Sequence, residues 1–493
     1  MRIAPSLLFV ALATSVSVTS SSSNTRLSPP KAIADEPLNY GEVLYLSSLF
    51  YEAQRAGALP SSNRIPWRGD SALKDGSDKG LDLSGGWYDA GDHLKFALTT
   101  GFTVSTLAWS LLEFPDAYDS VNERSVMMDT IKWGLDWLLK AHYKPDALVY
   151  QIASFDDHSY WGPPEAFPKK MKRPSFEINP KHPGSDIAGE VSAAFAAASL
   201  VFAESDSVYS HTLLVHARQL FDFADKHRGI GSKDFYGSTG YLDELAWAAV
   251  WLFKATGEAD YLHKAEKFFD ACCGGKDGTT KVDYDWGEKG PGVQLMLYHL
   301  TQAEKYRQGI TNYLQTWLKK PKTPKGLTFF SPWGSNRYTA NTAFIALMAA
   351  TYGLNPSKYS AWAESEITYI LTAGGKVNPD TGKPKYSYLI GFGEDFPRAP
   401  HHRSSSCKGT KCDCSRKPHP YILYGALVGG PGEKDDYVDD CTDYQKNVSH
   451  GWTREGGAPA CTGRRGARKG WGGWRAGKGS GGYVRTPAWN SAP

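Results

Sequence analysis

Two carboxylates three residues apart, Asp89 and Asp92, sit in the run Gly85-Gly86-Trp87-Tyr88-Asp89-Ala90-Gly91-Asp92-His93. Alanine and glycine between them let the backbone approach a substrate closely. Three-residue spacing on one helical turn would put both side chains on the same side. Two such carboxylates can share and orient one water, which is the task of a general base. A calcium loop, or a solvated turn with a helix cap, is the competing reading of the same pattern. Flat partners for a ring-shaped substrate are plentiful: 16 Trp, 27 Tyr and 21 Phe could stack on sugars or bases, or fill a large core.

Elements to position such a site are legible from apolar periodicity. Helices are expected at Tyr40–Arg55, Val104–Leu112, Ser125–Lys140, Asp186–Phe202, Tyr209–Asp225, Tyr241–Thr256, Ala259–Cys272, Gly292–Gln302, Tyr306–Leu318, Asn341–Tyr352 and Pro356–Leu371. Few convincing strands accompany them. Long loops rich in Gly, Pro, Asp and Trp lie between, such as Pro60–Leu83, Gln151–Pro183 and Lys276–Gly290. Sequential helix pairs joined in this way suggest a toroid of inner and outer helices, with function carried by the loops. No linker or repeat divides this body, so one catalytic domain is expected.

The two ends differ from the body. Arg2 followed by the apolar run Leu7–Val18 and by Thr19 to Ser23 reads as a cleaved export signal over residues 1–23, too short to cross a bilayer. A soluble, secreted chain with no membrane attachment after cleavage is expected. Residues 448–493 hold 12 glycines and eight basic residues against the single acid Glu455. That tail carries +7 and the remaining 447 residues −4, so the net charge of +3 does not point to a nucleic-acid partner. With no periodicity in Gly463–Gly482, the tail is expected to be flexible. Seven cysteines leave at least one thiol without an internal partner. A local disulfide among Cys407, Cys412 and Cys414 is expected, with a zinc site as the alternative.

The run Gly86–His93 resembles the signature of family 9 glycoside hydrolases, the secreted endoglucanases. Six further motifs match that family in order: Arg64–Ser71, His158–Glu165, Pro183–Glu190, Asp243–Ala249, Arg337–Phe344 and Pro400–Arg403. The resemblance covers residues 38–447. It implies an all-α (α/α)6 barrel that hydrolyses internal β-1,4 bonds of cellulose or a related glucan with inversion. In that chemistry one carboxylate activates water and another protonates the leaving oxygen. The family motif makes Asp92 the base, with Asp89 helping to hold the water. His401 and Arg403 would contact the sugar beside the scissile bond, while His158, Trp161, Trp286 and Tyr338 would line the groove. No cofactor is implied; a structural calcium stays open, as does any metal ligand set. A monomer is expected.

The family's acid belongs to a second signature, which Tyr437, Asp439 and Tyr444 match. Asp439 is therefore a further site residue, read as a supporting carboxylate. At the position where the acid Glu is expected this chain has Val448, and nothing after it matches. The barrel's last helix is accordingly expected to be missing. A composition change at the point where a motif fails is what a shifted reading frame, a mis-joined exon or an error in the deduced sequence would produce, and one of these is the expected origin of the tail. Two functions follow: an endo-β-1,4-glucanase whose turnover is impaired at Val448, or a glucan-binding protein without turnover. A third, RNA binding by the Gly/Arg tail, is opposed by export and by the acidic body.

Overall fold

The structure, a computed structural model, describes residues 38–274, 283–415 and 417–443, and the backbone of 449–450. Its helices are α1 (Tyr40–Gln54), α2 (Ala97–Glu113), α3 (Pro115–Ser120), α4 (Arg124–Ala141), α5 (Phe155–His158), α6 (Ser185–Phe202), α7 (Ser207–Lys226), α8 (Leu242–Thr256), α9 (Ala259–Cys272), α10 (Gly290–Thr301), α11 (Glu304–Leu318), α12 (Ser335–Thr351) and α13 (Pro356–Thr372). Apart from the short α3 and α5, these are the eleven helices expected from periodicity. Two of them begin six or more residues earlier than expected, α2 at Ala97 and α12 at Ser335. Both added segments are buried nearly all round, so no polar face alternates with an apolar one to reveal the period.

Burial sorts the helices into two layers. In α6, 16 of 18 residues are buried, against 6 of 20 in its neighbour α7. The same contrast separates α2, α8, α10 and α12 from α4, α9, α11 and α13. An inner helix must therefore be thin, and α6 reads Ser-Ala-Ala-Phe-Ala-Ala-Ala along its middle. At Gly189 of α6, an added Cβ would lie 2.9 Å from the carbonyl carbon of Glu244 in α8. Being long and apolar enough to cross a membrane, α6 spends that character on the protein core instead. Trp109 of α2 fills the centre, with Trp247 and Trp251 of α8 at 5.5 and 6.1 Å and Phe344 of α12 at 5.1 Å between rings. Its indole N–H is satisfied by the Tyr352 hydroxyl at 3.0 Å, as a buried polar atom must be.

Few strands were expected, and the ones present are short and brace the loops. β1 (Lys95–Phe96), β2 (Leu148–Ile152) and β3 (Ser175–Ile178) form an antiparallel sheet with Lys95 opposite Ile152 and Leu148 opposite Ile178. β4 (Cys407–Lys408) pairs with β5 (Lys411–Cys412), and β6 (Leu427–Val428) with the backbone of β7 (Ser449–His450). Disulfides join Cys272 to Cys273, Cys407 to Cys412 and Cys414 to Cys441. The local bridge expected among Cys407, Cys412 and Cys414 forms between the first two, while Cys414 reaches a partner 27 residues on. The expected signal segment 1–23, Val448, Glu455, Cys461 and the place of the last helix lie outside the described residues.

One contact between outer helices titrates. His142, after α4, faces His216 of α7 with Nδ1 atoms 2.8 Å apart, so one ring offers an N–H and the other a lone pair. Burial, then the neighbouring imidazole, pushes His142 down to about 4. Below pH 6.5 the unfolded chain therefore binds more protons than the folded one at this position. Its contribution is complete above pH 6.5 and is lost as pH falls towards 4. Replacing His142 by Gln should flatten the acid limb of the stability profile by about 3 kcal/mol between those limits, read from guanidinium unfolding at a series of pH values.

Candidate active site

Asp89 and Asp92 lie in a turn rather than on a helix, which corrects the expected helical spacing. The Asp92 amide donates to the Asp89 carbonyl at 3.2 Å, and Ala90 has φ +40°, a left-handed value that ends any helical run. Gly86, at φ +74°, packs so closely on Trp137 that a Cβ there would come within 2.6 Å of the indole. The small residues of the motif are used inward. Ala90 presents its carbonyl to the Gln54 side-chain amide at 2.6 Å, and Gly91 presents its own to the Arg403 backbone N–H at 3.0 Å.

Gln54, the last residue of α1, ties two loops together. Its amide nitrogen also donates to the Tyr88 carbonyl at 3.2 Å, and its Oε1 lies 2.9 Å from Nε2 of His402. His402 Nδ1 accepts the Ser405 backbone N–H at 3.1 Å, which fixes Nε2 as the protonated nitrogen and hence the donor to Gln54. The aspartate loop and the histidine loop thus share one clamp. Sequence reading missed it, because a lone Gln at a helix end carries no pattern.

Around Asp92 the expected residues come together. The Asp92 side chain is 3% exposed, with Oδ1 accepting the Leu94 N–H at 3.1 Å and Oδ2 2.7 Å from His158 Nδ1. Strand β2 and the turn after it carry α5, whose last residue is His158. The His158 carbonyl accepts from the Arg403 guanidinium at 2.6 Å. Arg403 lies 5.0 Å from the Trp161 ring, and Trp161 stands edge-on to His401 at 5.1 Å. Trp161 also donates to the Ser406 hydroxyl at 2.9 Å. His401 Nδ1 is 2.7 Å from the Cys441 carbonyl.

A second group forms around Asp89. Its carboxylate accepts from the Thr99 hydroxyl at 3.0 Å and from the Tyr236 hydroxyl. Trp286 is buried and packs edge-on against Tyr236 at 4.9 Å. Tyr236 was not predicted; its loop is pinned by Asp186, whose carboxylate accepts the N–H groups of Gly231 and Ser232 at 2.8 and 2.9 Å. The Pro183–Glu190 motif was the available signal, since it contains the Asp186 that holds this loop.

Charges behind the site are paired. Arg173 bridges Asp75, at 2.7 Å, and Asp157, while Lys95 reaches Asp75 at 2.7 Å. Burial, opposed by Arg173, pushes Asp157 up to about 6. Burial also takes Lys95 down to about 8. His93, buried and facing Arg403 and Arg173, is held well below its ordinary value and is neutral. Its Nε2 lies 3.3 Å from the Ser404 hydroxyl.

The remaining expected residues stand further out. Asp439 turns both oxygens onto backbone N–H groups, Arg398 at 2.7 Å and Ala399 at 3.1 Å, so it holds the segment leading into His401. Tyr338, half-buried, packs on Phe330 at 4.8 Å and under the Arg337 guanidinium at 4.3 Å. Arg337 is 3% exposed, and none of its guanidinium nitrogens has a hydrogen-bond partner among the described residues. Its ion-pair partner among the described residues is Asp285, at 3.8 Å, next in sequence to Trp286. The Asp285 carbonyl accepts from Lys289 Nζ at 2.8 Å, and that ammonium lies 3.0 Å from Glu190 and 3.8 Å from Glu244. Burial, then Asp243, raises Glu244 well above the carboxylate range. One trio of possible metal ligands, His401, Cys414 and Cys441, occurs among the described residues. Its two sulfurs are joined in a disulfide and offer no thiolates, which disfavours the zinc alternative for Cys414.

A model of glycosyl hydrolase family 9 matches residues 40–449. Endoglucanase A of Bacillus pumilus is 40% identical over 430 residues, covering 83% of this chain and 63% of its own length. Endoglucanase 15 of Arabidopsis thaliana is 38% identical over 456 residues, covering 83% of this chain and 89% of its own. Among solved structures, the endoglucanase of the termite Nasutitermes takasagoensis superposes with a TM-score of 0.76 at 43% identity, over 82% of this chain and 94% of that one. The cellulase Cel9M of C. cellulolyticum in complex with cellobiose gives 0.75 at 32% identity, over 83% and 94%. The paired inner and outer helices follow the (α/α)6 barrel of these proteins. The chain belongs to glycosyl hydrolase family 9.

Proposed function

We propose that the chain is an exported endo-β-1,4-glucanase acting on cellulose or a related glucan by inversion. The observation that carries this reading is the buried Asp92, fixed by His158 and Leu94 beside the Asp89–Tyr236 pair. Asp92 takes the proton of a water that attacks the anomeric carbon, and Asp89 steadies that water. A carboxylate with both oxygens already receiving hydrogen bonds is held in one orientation, so little reorganisation accompanies proton transfer. His401 and Arg403 contact the sugar next to the scissile bond, and Trp161 offers a ring face to it. This two-carboxylate chemistry is written without a cofactor. Export rests on the apolar run after Arg2.

Protonation of the leaving oxygen requires a second carboxyl across the sugar. The motif gives that position to Val448, which has no proton to donate. The proposed activity is therefore that of a base half without its acid. A second reading, glucan binding without turnover, follows from the same residue. Carboxymethylcellulose separates the two readings. Restoring the acid with Val448→Glu should raise reducing-sugar release about 10²-fold or more, and Asp92→Ala should remove the activity in either background. If neither the chain nor Val448→Glu releases reducing ends, the hydrolase reading fails. Binding of insoluble cellulose by such an inert chain would favour the second reading.

We assign Arg337 to the sugar's hydroxyl groups, since a buried guanidinium with no hydrogen-bond partner among the described residues leaves its N–H donors unmet unless a ligand meets them. In the Val448→Glu background, Arg337→Met should raise KM for cello-oligosaccharides about 10-fold with kcat changed far less. An unchanged KM would place the arginine outside the binding groove.

A further inference from the structure

Phe155 is the most exposed aromatic side chain among the described residues, at 57%. It opens α5, the helix that ends on His158 three residues later, and its ring stands edge-on to that imidazole at 6.3 Å. One face of Phe155 is stacked on Phe235, with centroids 4.4 Å apart and planes 27° from parallel. Phe235 is itself buried, 5.4 Å from His158, and precedes Tyr236 in the chain. Each ring of the stack is thus anchored to a partner of one catalytic aspartate, Phe155 through His158 to Asp92 and Phe235 through Tyr236 to Asp89. The strained Ala153, with φ +74°, precedes α5 and turns the chain out of β2.

A single exposed apolar side chain needs no explanation. This ring differs from a scattered one because it is backed by a second ring and continuous with the candidate active site. An apolar face bordered by hydrogen-bonding groups matches a pyranose ring, which has apolar faces and a polar rim. We propose that the Phe155–Phe235 stack is a glucan subsite, on which a sugar ring beyond His158 lies against the open face of Phe155. The proposal rests on the glucanase reading and extends it by one binding position. Phe235 sets the tilt of the platform, and Phe155 supplies the contact. Being largely exposed, Phe155 can be replaced without disturbing the core.

Equilibrium binding of a thio-linked cellohexaose, followed by calorimetry, avoids any dependence on turnover. Phe155→Ala should raise Kd about 3- to 10-fold, Phe155→Trp should restore it to within about twofold, and the melting temperature should stay unchanged in both. A merely structural role would lower the melting temperature and would not be rescued by tryptophan. Tight binding by the chain with no loss in Phe155→Ala overturns the subsite and leaves the glucanase reading intact. Failure of the chain itself to bind overturns both.

Discussion

Burying a carboxylate in a helical barrel is costly unless every oxygen has a fixed partner, and this site buries two within four residues. Asp92 satisfies that constraint with a backbone N–H and an imidazole, and Asp89 with two hydroxyls. These partners come from separate parts of the chain, Leu94 beside the aspartates, Thr99 on α2, His158 on α5 and Tyr236 on a loop, so those parts must be locked before the acids can be. Gln54 does this for the aspartate and histidine loops, Asp186 for the Tyr236 loop, and Asp439 for the approach to His401. Neutral His93, held between Arg403 and Arg173, adds no further positive charge to a region already rich in it.

The barrel supplies the rigid frame on which these locks close. Small residues thin the inner helices until backbones nearly touch, as Gly189 shows against Glu244. Where such helices begin, charged groups can be sunk in clusters. Lys289, completely buried, takes Glu190 and Glu244 as counter-charges and spends a hydrogen bond on the Asp285 carbonyl. Two carboxylates around one ammonium leave an excess of negative charge, and burial, then Asp243, raises Glu244 well above the carboxylate range, towards its protonated form. The loop carrying Asp285 and Trp286 is thereby fixed from beneath, and Trp286 in turn steadies Tyr236 against Asp89.

Most of the scaffold was legible because half-buried helices must alternate faces. The outer helices α7, α9 and α11 show this best, and their limits were read to within a few residues. The first turns of α2 and α12 were lost because complete burial erases the alternation. Strands β1 and β3 are too short to carry a period of two. At the site, Asp89, Asp92, His158, His401 and Arg403 were found through motif order. Tyr236, Gln54 and Arg337 were not assigned roles, since each acts through a contact that only folding creates. Tyr236 lies 147 residues from the aspartate it bonds.

Inversion makes opposite demands on its two carboxyls: one must be ionised when the other is protonated. On the proposed mechanism Asp92 meets the first demand: the Leu94 N–H and the His158 imidazole hold its two oxygens, and the Thr99 and Tyr236 hydroxyls hold Asp89 beside it. On the proposed mechanism both already have a role on the water side of the sugar, so neither supplies the acid as well. Nor can Asp439 leave its post, because releasing the Arg398 and Ala399 N–H groups would free the segment that presents His401. On the proposed mechanism the consequence of valine at position 448 is therefore not absorbed by these carboxylates. It would fall on the leaving-group step, with the groups proposed for water activation and glucan binding left in place.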